Sequence, residues 1–307
     1  KKDRRDAAIR LAAASDNELT PDYIESCIDE LYAEALTSLQ KPDSTTPRLR
    51  LNETLNDSGN AERLVAMFGD RIRFVPETET WVAWNGKRWE PDSDGALVRL
   101  AQESARHLFR LAAEEESDDR AKRIADFAGK SLTAYGLRSA LEVARVHPQI
   151  LAHLDTLDSN PWLLCCGNGT VDLKTGTLYP HRKEDLITRW TPVRYNADAT
   201  HPVWTNFLKD VTRDDPDFEA FLQRAVGYSA TADLREEKFL FLFGPNRTGK
   251  STFIEAIIRT LGEHVLATKE DTWLQKRDSG GPRSDLARLV NCRVVVCSEI
   301  SRGARLD

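Results

Sequence analysis

Lys238–Thr252 reads KFLFLFGPNRTGKST, and the class of the fold turns on this stretch. Phe239–Phe243 is an unbroken apolar run of strand length that stops at Gly244 and Pro245. Gly244, Pro245, Asn246, Arg247, Thr248, Gly249, Lys250 and Ser251 fit G-x-x-x-x-G-K-[ST], and Thr252 leads into the helix-like FIEAIIRTL. A strand, a glycine-bounded loop and a helix in that order make a phosphate cradle. Loop and helix N–H groups meet the phosphate oxygens, and the helix dipole favours negative charge. In such a loop Lys250 reaches the β- and γ-phosphates and the Ser251 hydroxyl ligates Mg²⁺. A chance match on a glycine-rich turn would lack the flanking strand and helix. The stretch predicts an α/β protein that binds a nucleoside triphosphate together with Mg²⁺.

Downstream, the helix should end near Gly262. TKEDTWLQKRDSGGPRSD then reads as a mobile loop, SDLARLVN as a short helix and Arg293–Cys297 as a buried β-branched strand running into Ser298-Glu299. Nucleotide hydrolysis needs an acidic residue at the tip of a second core strand, to polarise the attacking water and help hold Mg²⁺. Glu299 is therefore the candidate catalytic acid, with Lys250, and a candidate Mg²⁺ ligand, directly or through water. The plainer alternative is a surface glutamate closing a strand.

Upstream, Thr20-Pro21-Asp22 opens an amphipathic helix carrying Ile24, Ile28, Leu31, Tyr32, Ala35, Leu36 and Leu39, and KPDSTTPR (41–48) reads as a linker. Asn60–Phe68 is a short helix. An Asn85-Gly86 type I′ turn makes 80–90 a hairpin. Its Trp81, Trp84 and Trp89 could stack bases, but at strand spacing core packing is the favoured reading. Residues 95–116 and 118–147 read as helices, with EEESDD (114–119) a solvated helix end rather than a metal site. A second β region, WLLCCGNGTVDLKTGTLYPH, turns at Asn168-Gly169 and Thr175-Gly176. In it Cys165-Cys166 read as buried thiols and Asp172 as structural. Pro202–Asp210 and Pro216–Ser229 are helices leading to the loop. The domains expected are a helical segment and linker over 1–48, a mixed α+β accessory domain over 49–232, and an incomplete P-loop ATPase domain over 233–307.

The 307 residues are 40% hydrophobic and 30% charged, which excludes a disordered chain, and no apolar run approaches the ~18 residues of a membrane span. Five cysteines without a framework spacing suggest a reducing, cytoplasmic compartment. A net charge of −6 argues against a DNA-coating protein but leaves room for a local basic channel. From Arg235 onward there are 13 Lys/Arg against 10 Asp/Glu, so phosphate attraction should sit there, around Lys276, Arg277 and Arg283.

KFLFLFGPNRTGKST, SDLARLVNCRVVVCSE, NDSGNAERLVAMFGD…WVAWNGKRWE and GNGTVDLKTGTLYPH together resemble the superfamily 3 helicase module of phage and plasmid primase–helicases, a type also found in poxviruses. The resemblance covers residues 52–307. It implies a helicase-associated domain followed by an AAA+-like ATPase, and a homo-oligomeric ring, usually a hexamer. Such a ring acts on single-stranded or forked DNA, with a primase attached or nearby, in the cytoplasm of a bacterial host. On the motif match Lys250 and Ser251 are the Walker A pair and Glu299 the Walker B acid. Asn246 stands where the family usually has a second glycine, and Thr248 where it has an asparagine. The family's later motifs have no counterpart before Asp307, which implies a fragment of a longer protein. The expected function is ATP-driven DNA unwinding or translocation. The alternatives are a nucleotide-dependent assembly or DNA-binding module without efficient turnover, and a P-loop kinase, for which no acceptor pocket or arginine-rich lid is evident.

Overall fold

A computed structural model describes residues 54–269, 272–273 and 289–297, all within the unit Thr54–Asp307. The helix expected at 20–39, the linker, Ser298, Glu299, Lys276, Arg277 and Arg283 lie outside the described residues. So do most of the 268–285 loop and of the SDLARLVN helix.

Helix α1 (Asp57–Phe68) begins where the Asn56 side chain accepts a hydrogen bond from the Gly59 amide at 2.9 Å, satisfying one of the free donors of a first turn. Its Leu64, Val65 and Phe68 are buried against β1 (Ile72–Val75), α2 (Ala96–Glu114) and α4 (Ala134–Ala144) in the largest core. Helix α3 (Asp118–Ser131) packs on α2 through Ile124 and Ala128 against Leu108. The helix expected over 118–147 is thus two helices. Thr133 breaks it, because its hydroxyl caps the Gly136 amide at 3.1 Å and starts α4 afresh. Residues 114–119 end α2 and begin α3, as expected of a solvated corner.

Strands β1, β2 (Thr80–Trp84) and β3 (Trp89–Pro91) form an antiparallel sheet. The hairpin is present, but its turn is shifted by one residue. Trp84 pairs with Trp89, the Asn85 amide donates to the Arg88 carbonyl at 3.1 Å around Gly86-Lys87, and the Asn85 carboxamide oxygen accepts from the Lys87 and Arg88 amides at 2.9 Å each. That side-chain turn replaces the backbone geometry the Asn-Gly pair suggested. Trp89 is fully buried with its indole N–H on the Lys183 carbonyl at 2.8 Å, while Trp81 and Trp84 are half-buried against neighbouring cores. The core reading of the three tryptophans holds.

A second antiparallel sheet comprises β4 (Leu163–Cys166), β5 (Gly169–Asp172) and β6 (Thr177–Tyr179). Cys166 pairs with Gly169, so the first turn is centred on Gly167-Asn168, one residue earlier than expected. Asp172 closes the next turn by accepting from the Lys174 amide at 2.8 Å, a structural role. Cys165 and Cys166 are buried and free. Burial pushes their thiols up to about 12 and about 11, which keeps them protonated and unreactive.

Helices α5 (Pro202–Thr212) and α6 (Pro216–Ala230) follow, then α7 (Lys250–Leu261) and a parallel pair, β7 (Val265–Thr268) and β8 (Val294–Cys297). Leu164, Cys166 and Val171 of the second sheet share a core with Leu261 and Val265, so hydrophobic contacts cross the 232–233 boundary. Strand β8 is half-buried, where a buried strand was expected. Larger still is the difference at Phe239–Phe243, which is not a strand. Among the described residues nothing pairs with it, and Phe239, Phe241 and Phe243 are 79%, 67% and 81% exposed. A strand needs a neighbour to take its N–H and C=O groups, and apolar sequence alone does not supply one. The run still keeps the extended habit: Phe241 and Phe243 lie on one side with ring centroids 6.1 Å apart. The architecture is mixed, a helical body with small antiparallel sheets and one parallel pair.

Candidate nucleotide site

The loop from Gly244 to Gly249 reaches α7 through three left-handed residues, Gly244 (φ 148°), Arg247 (φ 65°) and Gly249 (φ 83°). Glycine takes the first and last of these without strain. Lys250, the first residue of α7, folds back over the loop. Its ammonium donates to the Gly244 carbonyl at 3.0 Å, the Pro245 carbonyl at 2.7 Å and the Thr248 hydroxyl at 3.2 Å. The Thr248 hydroxyl donates in turn to the Pro245 carbonyl at 3.0 Å. One cation is thus tied to both ends of a short, curled loop.

Among the described residues no side chain caps α7, whose N-cap is Gly249. The first-turn amides and the positive end of the helix dipole therefore stay available to an anion. Ser251 and Thr252 are exposed on that first turn, and Pro245, Asn246, Arg247 and Thr248 are exposed around it. The structure brings together Gly244, Pro245, Thr248, Gly249 and Lys250 and holds Ser251 beside them. Ser251 has the hydroxyl that Mg²⁺ would need beside a bound triphosphate. The acidic partner expected of such a site, Glu299, falls outside the described residues.

The far end of α7 is held firmly. The Thr191 hydroxyl donates to the Thr260 carbonyl at 2.7 Å, and the Glu263 amide to the Trp190 carbonyl at 3.1 Å. Glu263 is paired with Arg88, and its carboxylate also accepts from the Trp190 indole at 3.2 Å. Arg293, at the entry to β8, donates to the carbonyls of Ala230 (2.7 Å), Pro161 (3.4 Å) and Leu163. Burial lowers its pKa to about 10, and Asp158 opposes the shift. Beside it His264 is buried. Burial first, and the Arg293 charge second, push its pKa down to about 3, so the ring is neutral.

These anchors carried no motif, and neither did α5, whose Trp204 stacks on Phe253 of α7 at 6.0 Å. The apolar stripe of Pro202–Asp210 gives α5 one apolar side but does not say what that side meets, and in the fold Trp204 and Phe207 on it are half-buried.

Residues 61–213 match the family described as "D5 N terminal like", so the match ends with α5 and precedes the loop. The chain is also similar to a protein named "Putative primase C962R" in African swine fever virus, in both the Tick/Malawi and the Warthog/Namibia isolates. Identity is 31% over 117 residues in each case, covering 36% of this chain and 12% of the relative. The matched stretch thus spans about an eighth of the viral proteins.

Proposed function

We propose that this chain, with its D5 N-terminal-like region and its similarity to part of a viral protein named as a primase, is the ATPase-bearing portion of a DNA-replication primase–helicase. It binds ATP with Mg²⁺ at Gly244–Thr252 and, as part of a homo-oligomeric ring in the complete protein, couples hydrolysis to movement along single-stranded or forked DNA. The observation that carries this reading is the Lys250 ammonium curled onto Gly244 and Pro245 at the uncapped start of α7. Phosphate oxygens arriving there would exchange carbonyl partners for a full counter-charge and meet first-turn amides already aimed at them.

In this reading Lys250 neutralises the β- and γ-phosphates, and the loop amides orient the chain of phosphates. Ser251, with Glu299 directly or through water, would hold Mg²⁺, which supplies charge neutralisation on the phosphate oxygens. Glu299 orients the attacking water and takes its proton. DNA is held through phosphates around Lys276, Arg277 and Arg283, so its binding weakens steeply with salt.

The test is DNA-stimulated phosphate release by the complete protein, parent against Glu299→Gln. The reading expects ATP binding to survive in the variant and turnover to fall ~10²-fold or more. Parental turnover would remove Glu299 from the mechanism, and release indifferent to DNA would remove the helicase assignment. The exposed run Phe239–Phe243 favours one second reading, an assembly module whose nucleotide loop governs association rather than turnover.

A further inference from the structure

Gly249 is the last residue of the phosphate loop, and its surroundings come from a distant part of the chain. A β-carbon placed on it would lie 2.7 Å from Cγ1 of Val211 and 3.0 Å from Cε2 of Phe207, and the three nearest atoms all belong to these two residues of α5. Side chains of α5 therefore rest directly on the main chain of the loop's final turn. That leaves two reasons for glycine at 249, its left-handed φ of 83° and this contact. One turn into α7, Phe253 is buried with its ring nearly parallel to Trp204, 12° apart in plane and 6.0 Å between centroids. Trp204 stacks in turn on Phe207 at 5.4 Å. One helix thus touches the loop at Gly249 and the start of the following helix at Phe253.

Helix α5 has well-defined ends. Pro202 opens it, a His201 ring nitrogen accepts from the Trp204 amide at 3.3 Å, and the Thr212 hydroxyl donates to the Leu208 carbonyl at 2.8 Å. Left-handed Arg213 and Asp214 then end it, and Asp215 caps α6 immediately. A helix seated on a curled loop lowers the ordering cost of ligand binding, because the loop amides are already aimed.

We propose that α5 is a working part of the nucleotide site. Phe207 and Val211 hold the Gly249 turn in its anion-accepting form, and Trp204 carries the state of the loop into the D5 N-terminal-like region. The inference rests on the reading of Gly244–Thr252 as a triphosphate loop, and it makes the end of the matched region a positioning element of the ATPase rather than a tether. A small misplacement of the loop then weakens phosphate binding even though α5 never touches the ligand.

The experiment uses the 307-residue chain and a fluorescent ATP analogue with Mg²⁺, with a melting curve taken on every variant. Val211→Ala and Phe207→Leu should each raise the Kd about tenfold. Val211→Ala should also recover part of the affinity that Gly249→Ala removes, because it clears the nearest clash. The readout that mere packing would not move is Trp204 emission, taken as the difference between the parent and Trp204→Phe. It should change on adding ATP·Mg²⁺ and stay constant in Lys250→Ala. Folded α5 variants with Kd within about twofold of the parent, and no Trp204 change on binding, overturn the inference while leaving the triphosphate loop intact. A parent chain that binds no ATP overturns both.

Discussion

Trp89 and Phe241 are aromatic residues in extended stretches of one chain, and their surroundings are opposite. Trp89 has no exposed surface, a paired neighbour in Trp84 and a hydrogen bond for its indole, whereas Phe241 is 67% exposed and pairs with nothing described. The body from α1 to β6 closes its sheets on themselves, each strand finding its partner a few residues away through a short turn. The region from Phe239 to Cys297 does not. Its parallel pair, β7 and β8, joins strands separated by a long connection, and the run before the loop has no partner among the described residues. Hairpins carry their pairing in local sequence, while a parallel strand depends on segments far away. The body therefore completes its own strand pairing, while the loop region is held to it through Arg293 and Thr191, and the two share the core of Leu164 and Leu261.

The sharpest way to break that contrast is to truncate one aromatic in each region. Trp89→Ala should cost about 3–5 kcal/mol and lower the unfolding midpoint accordingly, since it empties a closed site and strands a carbonyl. A loss below 1 kcal/mol would mean that the body is not closed around Trp89.

Next in size, Arg293→Ala removes the clamp between the regions. Three carbonyls lose a charged donor, so we expect a loss of about 2–3 kcal/mol, read by urea unfolding. The mechanism predicts more than a lower midpoint. Hydrogen exchange in β7 should quicken before that in α1, and uniform quickening would contradict a clamp specific to the loop region.

Acid should act at the same junction. His264 is neutral in the folded chain down to about pH 3, whereas an unfolded histidine takes its proton near 6.5. Between those values the unfolded state binds the extra proton, so stability falls as pH falls, by up to about 1.4 kcal/mol per pH unit. His264→Gln should flatten the slope between pH 6.5 and 4.5. Parallel slopes for parent and variant would show that the ring is not held neutral.

The smallest effect belongs to the exposed run. Phe241→Ser should change stability by no more than about 0.5 kcal/mol and make the chain less prone to associate. A large loss would show that Phe241 is packed in solution.

Residues close in sequence were legible and residues brought from afar were not. The two hairpins, the buried cysteine pair and the turn from Gly244 into α7 follow from local chemistry, whereas the Asn56 and Thr133 caps, though local, depart from the expected bounds: the first helix starts before Asn60 and the helix expected over 118–147 is interrupted at Thr133. The Asn85 turn differs from the one its Asn-Gly pair suggests because a side-chain oxygen competes with the backbone turn. Phe239–Phe243 has the apolar length of a strand in sequence, but a neighbouring strand is not visible there. Arg293, His264 and the α5 contact on Gly249 had no signal at all, since each depends on segments roughly 30 to 130 residues apart meeting in space.

The central claim is that Gly244–Thr252 is a triphosphate loop, and the most direct test is ATP affinity in Lys250→Ala measured beside its melting temperature. Among the described residues Lys250 is a point charge held by loop carbonyls and a hydroxyl, so its loss should leave the fold within a few degrees of the parent. Affinity should fall at least about tenfold. A folded Lys250→Ala that binds ATP as tightly as the parent would contradict the account.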